Sequence, residues 1–516
     1  MKRNLPLFVI FLLFNTLIVN AQENRYSKVY YDQNDGIHVQ ATAMADNDSI
    51  LIGSGPYRGG LHLFDGAGTL HWSKSIGYAI PKDILQTADG HFVVCANGIS
   101  NSILLFKMDI AGNILWTKKY QNEATSFASG MHLSANGDIL LTGHVMQNTY
   151  PYNKKTLFLR LSTTGDLVAS KTYSLESGRD EGVAITETQN GDILIAGLTK
   201  GNSSWAQEMC IVKTDAEGNL IWTKSKTSEN PFAWSSINDM LSNDGLIFIS
   251  GHAFDVSTFA LCMDNDGIIV WSKEYSGVYA GNDAEYRPRM RQDQSGKLLV
   301  SYSSSMFMGG IVIAINPEGE YIWSQFPSMA QYDAQPLSDG GYLFIGNGPL
   351  WGVKDVSEPQ IGLVRVNDMG EGISCTEPIL SSAFEYQINF EAITYTSEET
   401  GTISDYILET TEFPLASFIG CVTFVGNTQE RPDRKNSLKI QPNPGNPPFL
   451  LNLKGIHNEV VASLIIYDSK GRKIYQEEGS WQQLQLIQRK LKSGLYLIKV
   501  TVEGFDYVSK LIVAEE

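Results

Sequence analysis

The sequence predicts an all-β fold: a seven-bladed β-propeller of four-stranded blades, followed by a small β-sandwich. Three observations predict it. First, one strand–turn–strand unit recurs seven times, with its turn glycines (Gly68, Gly112, Gly165, Gly218, Gly267, Gly319 and Gly370) 44 to 53 residues apart. Second, each unit holds about four short strand-like runs separated by turn residues, and four strands per roughly 40–50 residues is the propeller period. Third, Gly (47 of 516 residues) and aromatic residues (10%) are abundant, which suits short strands and tight turns. No long stretch of 3.6-residue periodicity crosses the repeats, so stacked helical repeats are excluded.

The chain opens with MKRNLPLFVIFLLFNTLIVNA. Lys2 and Arg3 form a positive start, Leu5 to Val19 is an apolar run broken by Pro6, Asn15 and Thr16, and Val19-Asn20-Ala21 suits a cleavage site. Residues 1–21 therefore read as a secretory signal peptide. The run is too short and too interrupted for a membrane span, and no later stretch approaches the necessary length of about 18 apolar residues. No transmembrane segment is expected in the mature chain. The net charge of -17 makes nucleic acid and anionic membranes poor partners.

The repeats occupy residues 22–375. The clearest copies of the unit are FKMDIAGNILWTKKY (Phe106–Tyr120), VKTDAEGNLIWTKS (Val212–Ser225) and CMDNDGIIVWSKEY (Cys262–Tyr275). Between them recurs a polar turn followed by a short apolar strand, as in ANGDILLTG (Ala135–Gly143) and QNGDILIAG (Gln189–Gly197). The W-x-K strand is expected outermost in its blade, and the next run, such as EYRPRMRQ (Glu285–Gln292), innermost in the following one. YSKVYY (Tyr26–Tyr31) resembles a W-x-K strand with no first half before it. The seventh unit has the opposite defect: it keeps Asn367 and Gly370 but lacks the Trp strand. Tyr26–Tyr31 is therefore expected to complete the outermost strand of the last blade and close the ring, removing an open sheet edge.

Residues 376–425 alternate in character without matching the repeat, and read as an irregular, β-containing extension. Residues 426–437 (GNTQERPDRKNS) are polar and apolar-poor, as in a linker. Residues 438–516 alternate strands with Gly turns, as an immunoglobulin-like β-sandwich would. This tail is nearly neutral: residues 436–516 hold 10 Lys/Arg against 8 Asp/Glu, so the acidic excess belongs to the rest of the chain.

The tail carries a family resemblance. Pro442-Asn443-Pro444 opens it, Ile466 to Arg472 supplies an apolar-Tyr-Asp-x-x-Gly-Arg strand and turn with Asp468, Gly471 and Arg472, Leu491, Gly494 and Tyr496 supply L-x-x-G-x-Y, and Lys510 to Val513 ends it. In order and spacing this resembles the C-terminal sorting domain of the type IX secretion system of Bacteroidota; the Pro-rich Gly445–Phe449 departs from the pattern. The resemblance implies export through the periplasm, recognition of the tail by the secretion machinery, and delivery to the outer-membrane surface or the extracellular space. It also implies removal of the tail, with release or tethering of the protein. The repeats resemble those of β-propeller cargo of that system, and their D-x-x-G-x-x-x-W spacing is similar to the tryptophan-docking repeat of quinoprotein dehydrogenases.

Candidate site residues follow from position. Trp72, Trp116, Trp222, Trp271 and Trp323 recur in register, which indicates packing between blades. Asp264-Asn265-Asp266-Gly267 resembles the start of a calcium loop, but the acidic ligand expected at its end falls on Tyr275, so a hairpin turn is expected instead. Cys375 and Cys421 bracket the extension and are disulfide candidates, whereas Cys95, Cys210 and Cys262 lie in apolar runs and read as buried hydrophobes. Arg287, Arg289 and Arg291 would share one face of an inner strand and could form an anion site in the central channel. In so acidic a domain the expectation is rather that they pair with carboxylates such as Asp180, Glu181, Asp283 or Glu285. Trp205, Trp234, Tyr279, Tyr286, Tyr332 and Trp351, with Tyr150 and Tyr152, are expected on loops of one face, where flat rings suit sugar or peptide contacts.

No catalytic signature, metal-ligand spacing or cofactor motif appears in the sequence. The expectation is a non-catalytic module that binds a carbohydrate, a peptide or a surface partner. Two alternatives stand beside it: a propeller enzyme (polysaccharide lyase, glycosidase or quinoprotein-like oxidoreductase), and a structural or adhesive spacer. The acidic excess favours a neutral or cationic ligand unless Arg287, Arg289 and Arg291 make a local exception.

Overall fold

The computed structural model describes most of residues 25–372, seven short segments between residues 376 and 419, and the strands of residues 439–513. Residues 1–24, 201–206, 227–234, 276–288, 348–359, 373–375 and 420–438 are among those outside the described residues. The chain divides into two units, Met1–Thr423 and Phe424–Glu516.

The first unit has a β-propeller fold, built from seven antiparallel sheets. Sheet 1 runs outward through His38–Met44, Ile50–Gly55, Gly60–Phe64 and Leu70–Ser75. Sheets 2 to 6 repeat this meander, with inner strands Ile80–Gln86, Thr125–Leu133, Glu181–Glu187, Ser235–Asn243 and Met290–Gln292. Sheet 7 runs from Ala330–Pro336 through Tyr342–Asn347 and Ile361–Val366 to Tyr26–Tyr31. The N-terminal strand is thus the fourth strand of the last sheet, as expected, with Tyr30 opposite Ile361.

Each inner strand packs beside the next, and Ala330–Pro336 returns to His38–Met44. An apolar core lies between each pair of neighbours. Leu51, Leu63, Phe92 and Phe106 fill the space between sheets 1 and 2, and Tyr30, Leu343, Ile50 and Phe64 that between sheets 7 and 1. Alternate residues of a middle strand serve different cores: Phe92 and Val94 face one neighbour, Val93 and Cys95 the other. Middle strands therefore read as unbroken apolar runs. Cys95, Cys210 and Cys262 are buried in them.

The recurrent motif joins sheets. In its turn the Asp side chain accepts backbone N–H bonds, as Asp65 does from Ala67 (3.0 Å) and Thr69 (2.7 Å). Asp264 does the same for Asp266 and Ile268, which makes that segment a hairpin turn as expected. Where a fourth strand carries Trp or Lys, these side chains reach the turn of the following sheet. Trp72 Nε1 donates to the Ile110 carbonyl at 2.9 Å, and Lys74 Nζ to the Gly112 carbonyl at 2.8 Å. Trp271 Nε1 donates to the Pro317 carbonyl at 2.8 Å, and Tyr275 Oη to the Gly319 carbonyl at 2.9 Å. Gly319 has φ of +80°, and a Cβ there would lie 2.8 Å from the Trp271 ring, so both conformation and contact require glycine. On the N-terminal strand, Tyr26 and Lys28 meet the Gly68 turn of sheet 1 in the same way.

Two expectations are corrected. The sheets have five strands, not four, and the W-x-K strand is not outermost. The segment read as an irregular extension supplies the fifth strand of every sheet. Thr376–Pro378, Ala383–Glu385, Phe390–Ala392, Thr396–Glu399, Thr402–Asp405, Thr411–Glu412 and Ala416–Ile419 pair in turn with sheets 6, 5, 4, 3, 2, 1 and 7. The chain thus passes backwards along the outer edges as a belt. Each belt strand is only two to four residues long and meets new partners, so it carries no repeat of the kind that marks the sheets. Its last strand covers Tyr26–Tyr31 itself, pairing Phe418 with Val29. Cys375 and Cys421 flank the belt and lie outside the described residues.

The second unit contains two sheets. One joins Lys439–Gln441, Phe449–Asn452 and Leu486–Ile487; the other joins Val461–Asp468, Lys473–Ser480, Gly494–Val502 and Phe505–Val513. Phe449, Leu451, Leu464, Ile466, Ile498 and Val500 share one core, sealed by Trp481 of a single-turn helix, Trp481–Leu484. Of the tail motif, Asp468 pairs with Tyr496 across neighbouring strands, Lys510 with Leu497, and Gly494 with Val513. The Tyr496 hydroxyl donates to the Lys492 carbonyl at 2.9 Å. Pro442, Asn443, Pro444, Gly471 and Arg472 lie outside the described residues.

Removing residues 376–419 while keeping the tail should expose all seven fourth strands. Light scattering should report association, and the Tm should fall; a monomer of unchanged Tm would contradict the belt's role. Replacing Trp271 with Ala should cost about 3 kcal/mol, read as a lower Tm.

Candidate functional site

The inner strands carry the site. In six of the seven inner hairpins one residue is left out of register, between Val39/Ala41, Pro81/Asp83, Ala128/Gly130, Gly182/Ala184, Ile237/Asp239 and Gln331/Asp333. Such a bulge bends the strand and re-aims the side chain it carries. The bulged residues are Gln40, Lys82, Ser129, Val183, Asn238 and Tyr332. In sheet 6 the corresponding place belongs to Arg289, just before Met290–Gln292. Its N–H donates to the Tyr332 carbonyl at 2.9 Å and its own carbonyl accepts from Ser301 at 3.0 Å. All seven residues line one cavity of about 270 Å³. Each sheet contributes one of them.

The residue after the bulge is Asp in three sheets. Asp83 accepts the N–H of Met131 in sheet 3 at 2.7 Å, and Asp239 that of Met290 in sheet 6 at 3.0 Å. Asp333 accepts from the Thr42 hydroxyl of sheet 1. Each carboxylate therefore ties its sheet to the next. Two guanidiniums neutralise them. Arg289 pairs closely with Asp83 and lies 3.6 Å from Asp239, which links sheet 6 to sheets 2 and 5. Arg291 pairs with Asp333 at 2.8 Å. Burial opposes the charge on Arg289, but the carboxylates around it, Asp83 foremost, outweigh that cost and hold its pKa well above the usual value. Burial pushes the Asp83 carboxyl up, against the pull of Arg289.

The wall is polar with one aromatic step. Lys82 Nζ donates to Gln40 Oε1 at 3.2 Å, and Asn97 Oδ1 accepts from the Ala128 N–H at 2.8 Å. Phe127 stacks on the His144 ring at 4.8 Å. Glu181 pairs with Lys154 at 2.9 Å and lies 3.7 Å from His144 Nδ1. Burial pushes the Tyr332 hydroxyl up to about 12, so it stays protonated and donates to the Gln40 carbonyl.

The structure brings Arg289 and Arg291 to the centre, but not as an open anion site on one strand face. Their guanidiniums are paired, and with Asp83, Asp239 and Asp333 rather than Asp180, Glu181, Asp283 or Glu285. Of the strand expected over Glu285–Gln292, Met290–Gln292 is described as strand, and residues 285–288 lie outside the described residues. Tyr332 is no loop aromatic: it is 2% exposed on an inner strand. Tyr150 and Tyr152 are exposed, with their rings edge to face at 6.1 Å. Arg287, Trp205, Trp234, Tyr279, Tyr286 and Trp351 lie outside the described residues. Sequence reasoning missed Lys82, Gln40, Ser129, Val183 and Asn238, because bulges leave no periodic mark. One signal was present: an Asp at matching repeat positions in Lys82-Asp83, Asn238-Asp239 and Tyr332-Asp333.

Comparison with known proteins adds the following. Residues 439–514 match the family described as a secretion system C-terminal sorting domain. No curated protein matches the chain. Among solved structures, the Dos1 propeller is similar at 10% identity and a TM-score of 0.38, over 69% of this chain and 99% of that one. A protein of unknown function from Bacteroides caccae is similar at 10% identity and a TM-score of 0.35, over 58% of this chain and 93% of that one. No helix of the described residues is long and apolar enough to cross a membrane. Behind its β-propeller fold, the chain carries at residues 439–514 a C-terminal sorting domain of the type IX secretion system.

Proposed function

We propose that the seven sheets are the blades of one closed seven-bladed propeller, and that it binds a small carbohydrate or peptide unit in its central cavity without catalysis. The observation that carries this reading is the convergence of seven bulged or equivalent residues, one per sheet, on a single cavity. A scaffold serving only as a spacer has no need to re-aim a side chain from every sheet to one place. The cavity, about 270 Å³, is just below the roughly 300–1,000 Å³ typical of ligand sites, so its occupant is one sugar- or amino-acid-sized unit. The buried carboxylates are committed to guanidiniums and backbone N–H groups, which favours structure over acid–base work. Among the described residues, the His144–Glu181 pair comes nearest to an acid–base couple, and Lys154 already holds that carboxylate.

Residues 1–21 act in this reading as the export signal, and the immunoglobulin-like tail directs passage across the outer membrane to the cell surface or medium. Cys375 and Cys421, on either side of the belt, pair and so fasten it covalently.

Glycan and peptide arrays probed with the full chain should give hits that disappear in Ser129→Trp, which fills the cavity, while its Tm stays within a few degrees. Binding that survives in a folded Ser129→Trp protein would move the site elsewhere. Deleting Leu491–Glu516 should trap the protein in the periplasm; normal appearance in the medium would refute the role of the tail. Non-reduced peptide mapping should recover Cys375 linked to Cys421.

A further inference from the structure

We infer that the outer rim between sheets 3 and 4 is a docking slot for an aromatic side chain, tryptophan foremost, presented by an extended segment of a partner polypeptide. The slot shares no lining residue with the central cavity. The other sheets show what it is shaped for. Five fourth strands place Trp72, Trp116, Trp222, Trp271 or Trp323 against the next turn, and the N-terminal strand has Tyr26 there. Sheet 3 alone has a small residue, Ala169. The joint is otherwise kept: Tyr173 Oη donates to the Gly218 carbonyl at 2.7 Å, and Lys171 Nζ to Asn219 Oδ1 at 2.7 Å. At Gly165, Gly267, Gly319 and Gly370 a Cβ would lie 2.8–3.0 Å from the facing Trp ring, whereas at Gly218 the nearest groups are Phe158 and Tyr173. The register is that of the other joints, and the ring is missing.

In its place is an open pocket of about 430 Å³, within the roughly 300–1,000 Å³ typical of ligand sites. Arg160, Ala169, Lys171 and Ala216 are among its lining. Ala216 matches Ile110 and Pro317, whose carbonyls receive Trp72 and Trp271. Lys171 matches Lys224, whose ammonium lies 4.6 Å from the centre of the Trp222 ring. Arg160 Nη1 donates to the Ala216 carbonyl at 2.8 Å. That bond does not bar a ring, because Lys213 makes the equivalent one to the Asn265 carbonyl at 2.8 Å with Trp222 in place. Nor does the slot need a spare proton from either cation, since an aromatic face is attracted to the charge itself. The occupant is a polypeptide because the strand edge beside the slot is uncovered. The belt pairs with Lys171–Ser174 and, through Thr400, with Ser170. Among the described residues no strand pairs with the outer side of Leu167–Ala169, and Val168 there is 58% exposed. An extended segment adding along this edge gains backbone pairing and sets one side chain in the slot. A buried aromatic anchor of that kind dominates many interfaces.

Fluorine NMR with the full chain tests this, using as probe the peptide LIWTKSK (residues 220–226) with fluorotryptophan at its Trp. Its resonance should shift saturably on adding the protein, and unlabelled peptide should reverse the shift. The same peptide with alanine in place of tryptophan should compete at least ten-fold less well, and so should N-acetyltryptophanamide, which offers the ring without the strand. Ala169→Trp should fill the slot from within, so that the shift is lost while the Tm holds or rises. No shift with the wild-type chain, a shift that persists in Ala169→Trp, or an alanine peptide that competes equally would overturn the inference. Equal competition by N-acetyltryptophanamide would overturn the polypeptide partner. A Tm lowered by several degrees in Ala169→Trp would mean that the gap does not fit the ring, and would overturn the slot itself.

Discussion

The contact on which the propeller depends is the one between a fourth strand and the turn of the next sheet. An isolated four-stranded sheet buries neither face. Here each face is covered by a neighbour, and the register between neighbours is set where Trp, Lys and Tyr side chains meet a glycine turn. The turn glycine takes a left-handed conformation, with φ between +68° and +82° in all seven copies. That conformation presents backbone carbonyls to the incoming side chains and leaves no Cβ in the way of a ring. Hydrogen bonds such as Trp72 to Ile110 and Tyr173 to Gly218 add direction to what would otherwise be apolar packing alone. The recurrence of the motif is therefore the recurrence of one joint.

Joints between neighbours leave two edges to manage: the ends of the circuit and the outer strand of each sheet. The N-terminal strand settles the first, pairing with Ile361–Val366 so that sheet 7 contains both early and late chain. The belt settles the second. A single pass of the chain, in reverse order, places a short strand on every outer edge. Unpaired edge groups invite pairing with other molecules, a hazard for a protein that works outside the cell. The last belt strand lies on the N-terminal strand, so the closing element is itself held down.

At the centre, the same economy of position produces a site. Bulges in six inner strands turn one residue each towards the cavity, and the residue after the bulge stitches sheets together where it is Asp. Buried carboxylates in an already acidic chain need partners, and Arg289 and Arg291 supply them from a single sheet. The inner strands are thus joined at their centre by a structural ion network. The Arg residues that look like an anion site in the sequence are mostly spent on holding the ring.

Much of this was legible before any coordinates. The period of the turn glycines, the in-register Trp residues and the orphan strand Tyr26–Tyr31 determined the fold class, the number of sheets and the way sheet 7 is completed, because each is a local pattern repeated along the chain. The tail motifs identified the sorting domain for the same reason. Only the tertiary structure decided that residues 376–419 are a belt, since each short strand is defined by a partner far away in sequence and not by its own composition. It alone decided that Arg289 reaches Asp83 across some two hundred residues, and that Tyr332 is buried. Spacing along one strand tells which side chains share a face; it cannot tell which strand from another sheet will stand opposite them.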